Sequence, residues 1–315
     1  MGTQTEQPLQ IAILGAGDIA RKAYLPLLCT WPAIRIVGLF SRTQERVDEA
    51  LADWPIKFGA TQLGALLERQ PAAAFVLTPT PSHYDLSRAL LEAGVDVYLE
   101  KPATQDSSQT RQLADLAKER GRVFMVGFNR RYALLYRQAK EIFGSRRIQL
   151  CTIEKHRPSA YHTSLFNNYL DDTIHQIDLL RYFCGEARPV HTSYEMRGGK
   201  LVGALSVTEL EGGGHGLVIT SLAAGAWQER VTLHGEGLTV EVSAFRELRV
   251  KYPDREEVFG PDRPGRWVSE LDERGFSGEI EHFFDCVRQR QTPQTDGYEA
   301  ARTQALVEAM VACAR

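Results

Sequence analysis

The run Leu170-Asp171-Asp172-Thr173-Ile174-His175-Gln176-Ile177-Asp178 carries side chains whose types and spacing suit proton transfer. On a helix of about 3.6 residues per turn, Asp171, His175 and Asp178 fall on one strip and Asp172 points roughly a quarter-turn away. Leu170, Ile174 and Ile177 flank the strip as an apolar shoulder. A carboxylate one turn from an imidazole can orient the ring and raise its basicity, which is what general acid-base catalysis asks for. The same spacing also fits an Asp-His-Asp ladder on a helix surface, or a core histidine bonded to a neighbour. Metal ligation would need a cysteine or second histidine at compatible local spacing; none is there, so no metal is expected.

Further upstream, Val97-Tyr98-Leu99-Glu100-Lys101-Pro102-Ala103-Thr104 ends an apolar run in a charged pair and a chain-breaker. Proline pushes Lys101 toward extended geometry, so this lysine belongs where the chain leaves a strand. In open α/β sheets ligands bind beyond such strand ends. Gly15-Ala16-Gly17-Asp18-Ile19-Ala20, read as GxGxxA, follows the first apolar run and precedes a helical stretch. It offers a tight turn, a bare backbone for a pyrophosphate, and a small residue where helix meets strand. About twenty residues on, where an NAD enzyme usually carries a ribose-binding acid, the chain reads Phe40-Ser41-Arg42-Thr43. Ser41 and Arg42 can hydrogen-bond and neutralise a 2′-phosphate, which favours NADP over NAD. The competing reading leaves Arg42 in solvent and gives the ribose to Glu45 or Asp48.

These groups need a scaffold, and the pattern supplies two. From Leu9 to about Val126, short continuous apolar runs (LQIAILG, IRIVGLF, AAAFVLT, VDVYLE, RVFMVGF) alternate with helical segments, the rhythm of a buried parallel sheet. HYDLSRALLEAG closes at Gly94, and SSQTRQLADLAKERG opens on a serine cap and ends at Gly121. After Val126 come two helical stretches and then alternating runs from RRIQLCTIEKH to LRVKYP. Their glycine punctuation at 198–199, 212–214 and 235–237 predicts hairpins and an antiparallel sheet. Asp254 to Phe276 is predicted to be a long loop, and the tail from Gly278 to be helical. The expectation is therefore α/β throughout: residues 1–125 as a dinucleotide-binding domain and 126–315 as a substrate-binding and oligomerisation domain. The helices from about 278 are expected to pack back on the first domain.

Taken in order, GAGDIA, TPTPSHYDLSRALLEAGVDVYLEKPAT, VGFNRRYALLY and IHQIDLLRYFCG resemble the landmarks of the Gfo/Idh/MocA oxidoreductases. The stretches EKHR (154–157) and YLDDTIHQID look closest to the MviM-like branch. The resemblance implies an N-terminal Rossmann domain followed by an α/β domain with a large, mostly antiparallel open sheet that often makes the oligomer contact, as a homodimer or homotetramer. It gives Lys101 a place beside the nicotinamide, in contact with the reacting substrate oxygen, with Asp171, His175 and Asp178 as companions. Thr78 and Pro79 would lie near the nicotinamide ribose, with His83 on the adjoining turn, Glu100, and Asn129 with Arg130 at the domain junction. Each also has a plainer reading: Pro79 and Pro81 shaping a turn, His83 capping a helix, Arg130 pairing with a surface acid.

The chemistry fits that division of labour. Removing hydride from a carbinol carbon requires the hydroxyl proton to leave, and the oxygen needs a donor. His175 would take the proton, Asp171 hold the ring and Lys101 stabilise the oxygen, while a positive nicotinamide would disfavour the ammonium form of Lys101. Where many relatives precede the histidine with glycines, this chain has Tyr169-Leu170-Asp171-Asp172, so ordinary sugar specificity is not assured. Lys155, His156 and Arg157 read either as a cationic rim for an acidic sugar-like substrate or as a solvated strand edge.

The 315 residues, 43% hydrophobic and 24% charged with a formal charge of −3, describe an ordinary globular chain without the basic face of a nucleic-acid binder. Five scattered cysteines without CxxC spacing argue against a disulfide framework or zinc cluster and point to a reducing, cytoplasmic setting. The amino terminus lacks the features of a secretory signal, and no apolar run is long enough for a membrane span. The leading expectation is an NAD(P)-dependent oxidoreductase, NADP-preferring, acting on a hydroxyl or keto carbon of a sugar-like or cyclic polyol compound. The alternatives are a glycosidase that retains its dinucleotide and works by redox elimination, and a ligand sensor on the same fold.

Overall fold

The computed structural model describes residues 7–260 and 267–315, and the chain divides into two compact units. Residues up to Gly127 together with Glu279–Ala301 form the first; Phe128–Gly278 and Arg302–Arg315 form the second.

Six strands make the first unit's sheet: β1 (Leu9–Leu14), β2 (Ile34–Phe40), β3 (Gly59–Ala60), β4 (Ala73–Val76), β5 (Asp96–Glu100) and β6 (Phe124–Gly127). They are parallel throughout, in the order β3-β2-β1-β4-β5-β6. Every residue of β4, β5 and β6 is buried, which is why their apolar residues run consecutively rather than alternating, with Asp96 and Glu100 at the two ends of β5 as the charged exceptions. Because β6 reaches Gly127, the first unit extends two residues past the expected boundary. Between strands lie α1 (Leu25–Leu28), α2 (Gln44–Asp53), α3 (Leu63–Leu67), α4 (His83–Glu92) and α5 (Ser107–Glu119). A five-residue π turn, Ala20–Tyr24, leads into α1. The cap of α5 is Asp106, not the expected serine: its carboxylate accepts from the Gln109 amide at 2.9 Å, which a serine one residue later is out of position to do.

The second unit holds α6 (Leu134–Phe143), β7 (Leu150–His156), α7 (Leu165–Asp171) and α8 (Ile174–Cys184), and then seven strands. These are β8 (Ala187–Arg197), β9 (Lys200–Leu210), β10 (His215–Ser221), β11 (Gln228–Gly235), β12 (Leu238–Ser243), β13 (Glu247–Lys251) and β14 (Glu256–Phe259). The eight-stranded order is β14-β13-β12-β11-β7-β10-β9-β8. Hairpins fall at the three predicted glycine turns, and every pairing is antiparallel except β7 with β10. β7 enters the sheet first and later strands build outward on both sides of it, so it is central. That position overturns the reading of Lys155, His156 and Arg157 as a solvated strand edge. α6 packs on β12 and β13 and α8 on β7 and β10, which buries one face of the sheet.

The predicted loop from Asp254 to Phe276 contains β14 and a short helix, α9 (Glu270–Glu273), started by a Ser269–Asp272 capping box; residues 261–266 lie outside the described residues. α10 (Phe276–Gln289) and α11 (Gly297–Ala312) complete the chain.

Candidate functional site

In the first unit, successive strand ends carry the groups singled out from sequence. Gly15 follows β1 with φ at +100°, and a Cβ there would come within 2.8 Å of the Leu77 carbonyl carbon and oxygen, so only glycine fits. Gly17 differs: a Cβ would meet nothing within 4 Å, leaving open space in front of the turn. Asp18 and Ile19 start the helical segment and are exposed, with Asp18 paired to Lys22 at 2.7 Å. Ala20 is fully buried where the helix meets the sheet. This is the cradle a dinucleotide phosphate requires: amides at a helix start, with nothing filling the approach. Arg21 secures it from behind, donating to the Ala16 carbonyl at 3.2 Å and pairing with Glu49 and Asp53 of α2.

Ser41 leaves β2 with its amide donating to Ala60 at 3.2 Å, and Arg42 beside it is exposed. Of the competing acids, Asp48 accepts from Gln44 at 2.8 Å, and Glu45 is exposed in the first turn of α2. After β4, Thr78 Oγ1 accepts from Ser82 Oγ at 2.9 Å, and Pro79 is extended ahead of a 3-10 turn. His83 does not cap α4. Its buried ring reaches back, with Nδ1 2.9 Å from the Pro102 carbonyl and Nε2 2.6 Å from that of Thr78, so it ties the turn after β4 to the turn after β5. Burial pushes its pKa down and the carbonyl contacts oppose that in part. Lys101 follows β5 directly, half-buried, with a cis bond to Pro102. The buried Glu100 accepts from Tyr24 Oη at 2.8 Å, and Tyr24 Oη lies 2.8 Å from Tyr98 Oη.

In the second unit the single helical strip is replaced by two helices. α7 ends at Asp171, Asp172 is its C-cap and Thr173 is the N-cap of α8. The break has local causes. Lys155 Nζ donates to the Asp172 carbonyl at 2.8 Å, while the amides of Asp172 and Thr173 both turn to the Asn168 carbonyl. Asp171 is left with a side chain 56% exposed, its Oδ2 3.7 Å from Nε2 of the buried His162. Asp172, expected to point aside, is buried at the centre of an ion cluster. It takes Lys155 at 2.9 Å and Arg157 Nε at 2.7 Å, with Arg157 bidentate. Asp178, predicted as a substrate ligand, is buried and holds Arg131 through both oxygens at 2.6 and 2.8 Å, with Thr303 Oγ1 at 3.0 Å. Such a chelated carboxylate is engaged structurally, and that removes it from the strip.

Arg130, expected at the cofactor with a surface acid as its plainer alternative, pairs with a buried acid, Glu229 on β11, at 2.8 Å. Its Nη1 also donates to Asn129 Oδ1 at 3.0 Å and lies 3.4 Å from His175 Nε2, and Asn129 donates to the Arg274 carbonyl at 2.9 Å. Lys155 stands 3.5 Å from Glu229 as well as beside Asp172. The predicted cationic rim of Lys155, His156 and Arg157 is not one group: Lys155 is buried between Asp172 and Glu229, the half-exposed Arg157 chelates Asp172, and His156, on the opposite face of β7 from Lys155, has its Nε2 3.1 Å from Glu154. Burial would raise the pKa of Glu229, but Arg130 and Lys155 outweigh it and bring it down to about 2. Burial likewise pushes Lys155 down against the opposing pull of Glu229 and Asp172.

Glu229 was missed from sequence, although a signal for it exists. In Glu229, Val231 and Leu233 the alternation of β11 puts a carboxylate in phase with two core residues, just as Lys155 is in phase with Cys151 and Ile153 on β7. A charge at a core phase asks for a buried counter-charge. Tyr169, part of the departure from glycine, is buried with its hydroxyl 2.9 Å from Ser206 Oγ.

Among the described residues no cluster of His, Cys, Asp and Glu could hold a metal, no helix is long and apolar enough to cross a membrane, and all five cysteines are free.

Comparison with known proteins bears on the whole chain. Residues 9–128 match the Gfo/Idh/MocA profile, described as an oxidoreductase family with an NAD-binding Rossmann fold. A curated relative from Salmonella typhimurium, "Putative oxidoreductase YceM", is 32% identical over 311 residues, covering 96% of this chain and 97% of its own. The scyllo-inositol 2-dehydrogenase (NAD(+)) of Bacillus subtilis is 23% identical over 314 residues, 91% of this chain and 89% of that one. Among solved structures, a dehydrogenase (MviM) from Clostridium difficile superposes with a TM-score of 0.88 at 25% identity, covering 96% of this chain and 99% of that one. KijD10, a 3-ketoreductase from Actinomadura kijaniata solved with NADP and TDP-benzene, shares the fold at a TM-score of 0.82 and 21% identity, with 98% of each chain covered.

Proposed function

The chain belongs to the Gfo/Idh/MocA family of oxidoreductases, and from that premise we propose that it oxidises or reduces a hydroxyl or keto carbon of a sugar-like or cyclic polyol compound, with NADP as its preferred dinucleotide. The observation that carries the reading is the clustering of Gly15, Ser41, Thr78 and Lys101 at the carboxyl ends of β1, β2, β4 and β5. These strands are neighbours in one parallel sheet, and such sheet ends are where open α/β folds bind nucleotides. Gly15, Gly17 and the amides of Asp18 and Ile19 hold the pyrophosphate, Ser41 and Arg42 the 2′-phosphate, and Thr78, Pro79 and His83 shape the wall beside Lys101. When bound, the nicotinamide supplies a hydride or accepts one.

The protein's own groups handle the proton and the charge. In the oxidative direction His175 takes the hydroxyl proton, the O–H bond breaking as N–H forms. Lys101 has the role of stabilising the charge on the reacting oxygen, and Asp171, the exposed acid preceding α8, that of a substrate ligand. Arg157, the most exposed cation of the cluster, is the one we assign to an acidic group of the substrate. The open face of the eight-stranded sheet carries half-exposed Glu241, Glu247, Arg249 and Lys251 in alternating sign, which suits pairing with a second copy.

The test is a screen for consumption of reduced cofactor over ketoses, aldoses, inosones and their acids, alongside dissociation constants for NADPH and NADH. Turnover with tighter NADPH binding is expected. Preference for NADH overturns the NADP assignment. Product formation with flat cofactor absorbance would favour redox-elimination chemistry, and binding without turnover a sensor.

A further inference from the structure

β3 consists of Gly59 and Ala60 alone, and it pairs with β2 only at Leu39 and Phe40. Residues 34–37 of β2 therefore have no strand on their outer side, and a cavity of about 800 Å³ lies along them. The end of α1, the approach to β3 and the residues just past α3 complete its walls. Three cations line it: Arg35 from β2, Lys57 from the approach to β3, and Arg69 from beyond α3. Glu68 is the one acid of that lining, and Trp31 and Phe58 are its aromatic residues.

Elsewhere in the first unit basic side chains find acids: Arg21 with Glu49 and Asp53, Lys22 with Asp18, Arg111 with Asp115, and Arg290 with Asp96. Among the described residues, Arg35, Lys57 and Arg69 have no acid within ion-pair distance and donate no side-chain hydrogen bond. Arg69 instead lies over the Phe58 ring, 4.9 Å from its centroid, which keeps the guanidinium at the cavity wall. Three positive charges against one negative make this lining basic in a chain whose formal charge is −3. Like charges gathered without counter-charges repel one another, and an anion entering among them relieves the repulsion. Phosphate groups suit these donors: a guanidinium fork takes two phosphate oxygens at once, and an ammonium meets them as a point charge. We propose that this cavity is a second ligand site of the protein, one that binds a small phosphorylated molecule carrying several negative charges, with Trp31 and Phe58 as the wall for its organic part. The cavity sits at the amino ends of β1 and β2, where Gln10 and Ile34 line it, whereas the glycine turn follows the carboxyl end of β1. The two sites are therefore separate, at opposite ends of one sheet.

The experiment is calorimetric titration of the full chain with inorganic triphosphate and, separately, with ATP, at low ionic strength and without a divalent cation. The wild type is expected to bind triphosphate, and Arg35→Gln, Lys57→Gln and Arg69→Gln should each weaken that binding about tenfold, the loss of one charge-assisted contact. Arg35→Gln and Lys57→Gln should leave the melting temperature unchanged, because neither side chain supports a contact within the protein. Added salt should weaken binding in the wild type more than in the variants. Tighter binding of ATP than of triphosphate, lost in the same three variants, would show the aromatic wall in use; equal binding, lost in the same three, would show a site that reads phosphate alone. Gly17→Ala separates this site from the dinucleotide cradle and should leave triphosphate affinity as it is. No binding of either probe at about 1 mM overturns the inference. So does triphosphate binding that is unmoved in all three cavity variants, or that disappears in Gly17→Ala. The site does not rest on the oxidoreductase reading, and it stands or falls whether or not a substrate is turned over.

Discussion

Around the glycine turn of the first unit the polar groups are backbone amides at strand ends, and the charged side chains nearby, Asp18, Lys22 and Arg42, remain exposed. Around His175 in the second unit the polar groups are charged side chains withdrawn from water, drawn from β7, β11, the turn after β6 and the junction of α7 and α8. The first arrangement costs little to maintain and leaves an open approach. The second must satisfy every charge internally, because a buried ion that loses its partner is far more costly than an exposed one. Binding groups can thus be supplied by local chain geometry alone, whereas holding charged side chains in the interior requires long-range pairs that also stabilise the fold.

Removing an anion from the buried cluster should therefore have the largest effect. Glu229→Ala is expected to destabilise the chain by about 3–5 kcal/mol in denaturant unfolding, leaving Arg130 and Lys155 short of a counter-charge; a loss below about 1 kcal/mol would mean the cluster is solvated. Acid should reproduce part of this. The folded-state pKa of Glu229, about 2, lies below its ordinary 4.5, so its contribution is present in full above about pH 4.5 and fades as the pH falls through 2. Its size is of the order of 3 kcal/mol by linkage, to be read from unfolding curves against pH beside Glu229→Gln.

The glycine turn separates fold from function more cleanly. Gly15→Ala should cost about 1–3 kcal/mol, since a Cβ collides with Leu77 and φ is positive there. Gly17→Ala should leave the melting temperature nearly unchanged, because its Cβ meets nothing in the protein, yet weaken dinucleotide binding at least tenfold in a fluorescence titration. Equal binding to wild type would mean that the open space is not the phosphate approach. The smallest effect belongs to Lys22→Ala, whose exposed pair with Asp18 should contribute no more than about 0.5 kcal/mol.

The same contrast explains what the sequence disclosed. The glycine turn, the Thr78 and Lys101 strand ends and the three glycine hairpins are contiguous motifs, in which a few neighbouring residues decide the local backbone. The ion cluster is not contiguous: Arg130 and Glu229 are 99 positions apart, and Lys155 reaches Asp172 only because β7 is central. Periodicity also misjudged the junction of α7 and α8. A strip through Asp171, His175 and Asp178 assumes an unbroken helix, and the interruption comes from a lysine on another element taking the Asp172 carbonyl. Buried charges at core phases were the legible trace of that tertiary demand.

The central proposal is that Lys101 and His175 both act in hydride transfer, the lysine on the charge of the substrate oxygen and the imidazole on its proton. Single-turnover hydride transfer on the best substrate, followed by nicotinamide absorbance in wild type, Lys101→Ala, His175→Ala and the double variant, tests it most directly. Each single change should slow transfer by about 10²–10⁴-fold, and the double change should cost little more than the worse single one, as for groups acting together. Wild-type rates in either single variant, or fully multiplicative losses in the double, would contradict it.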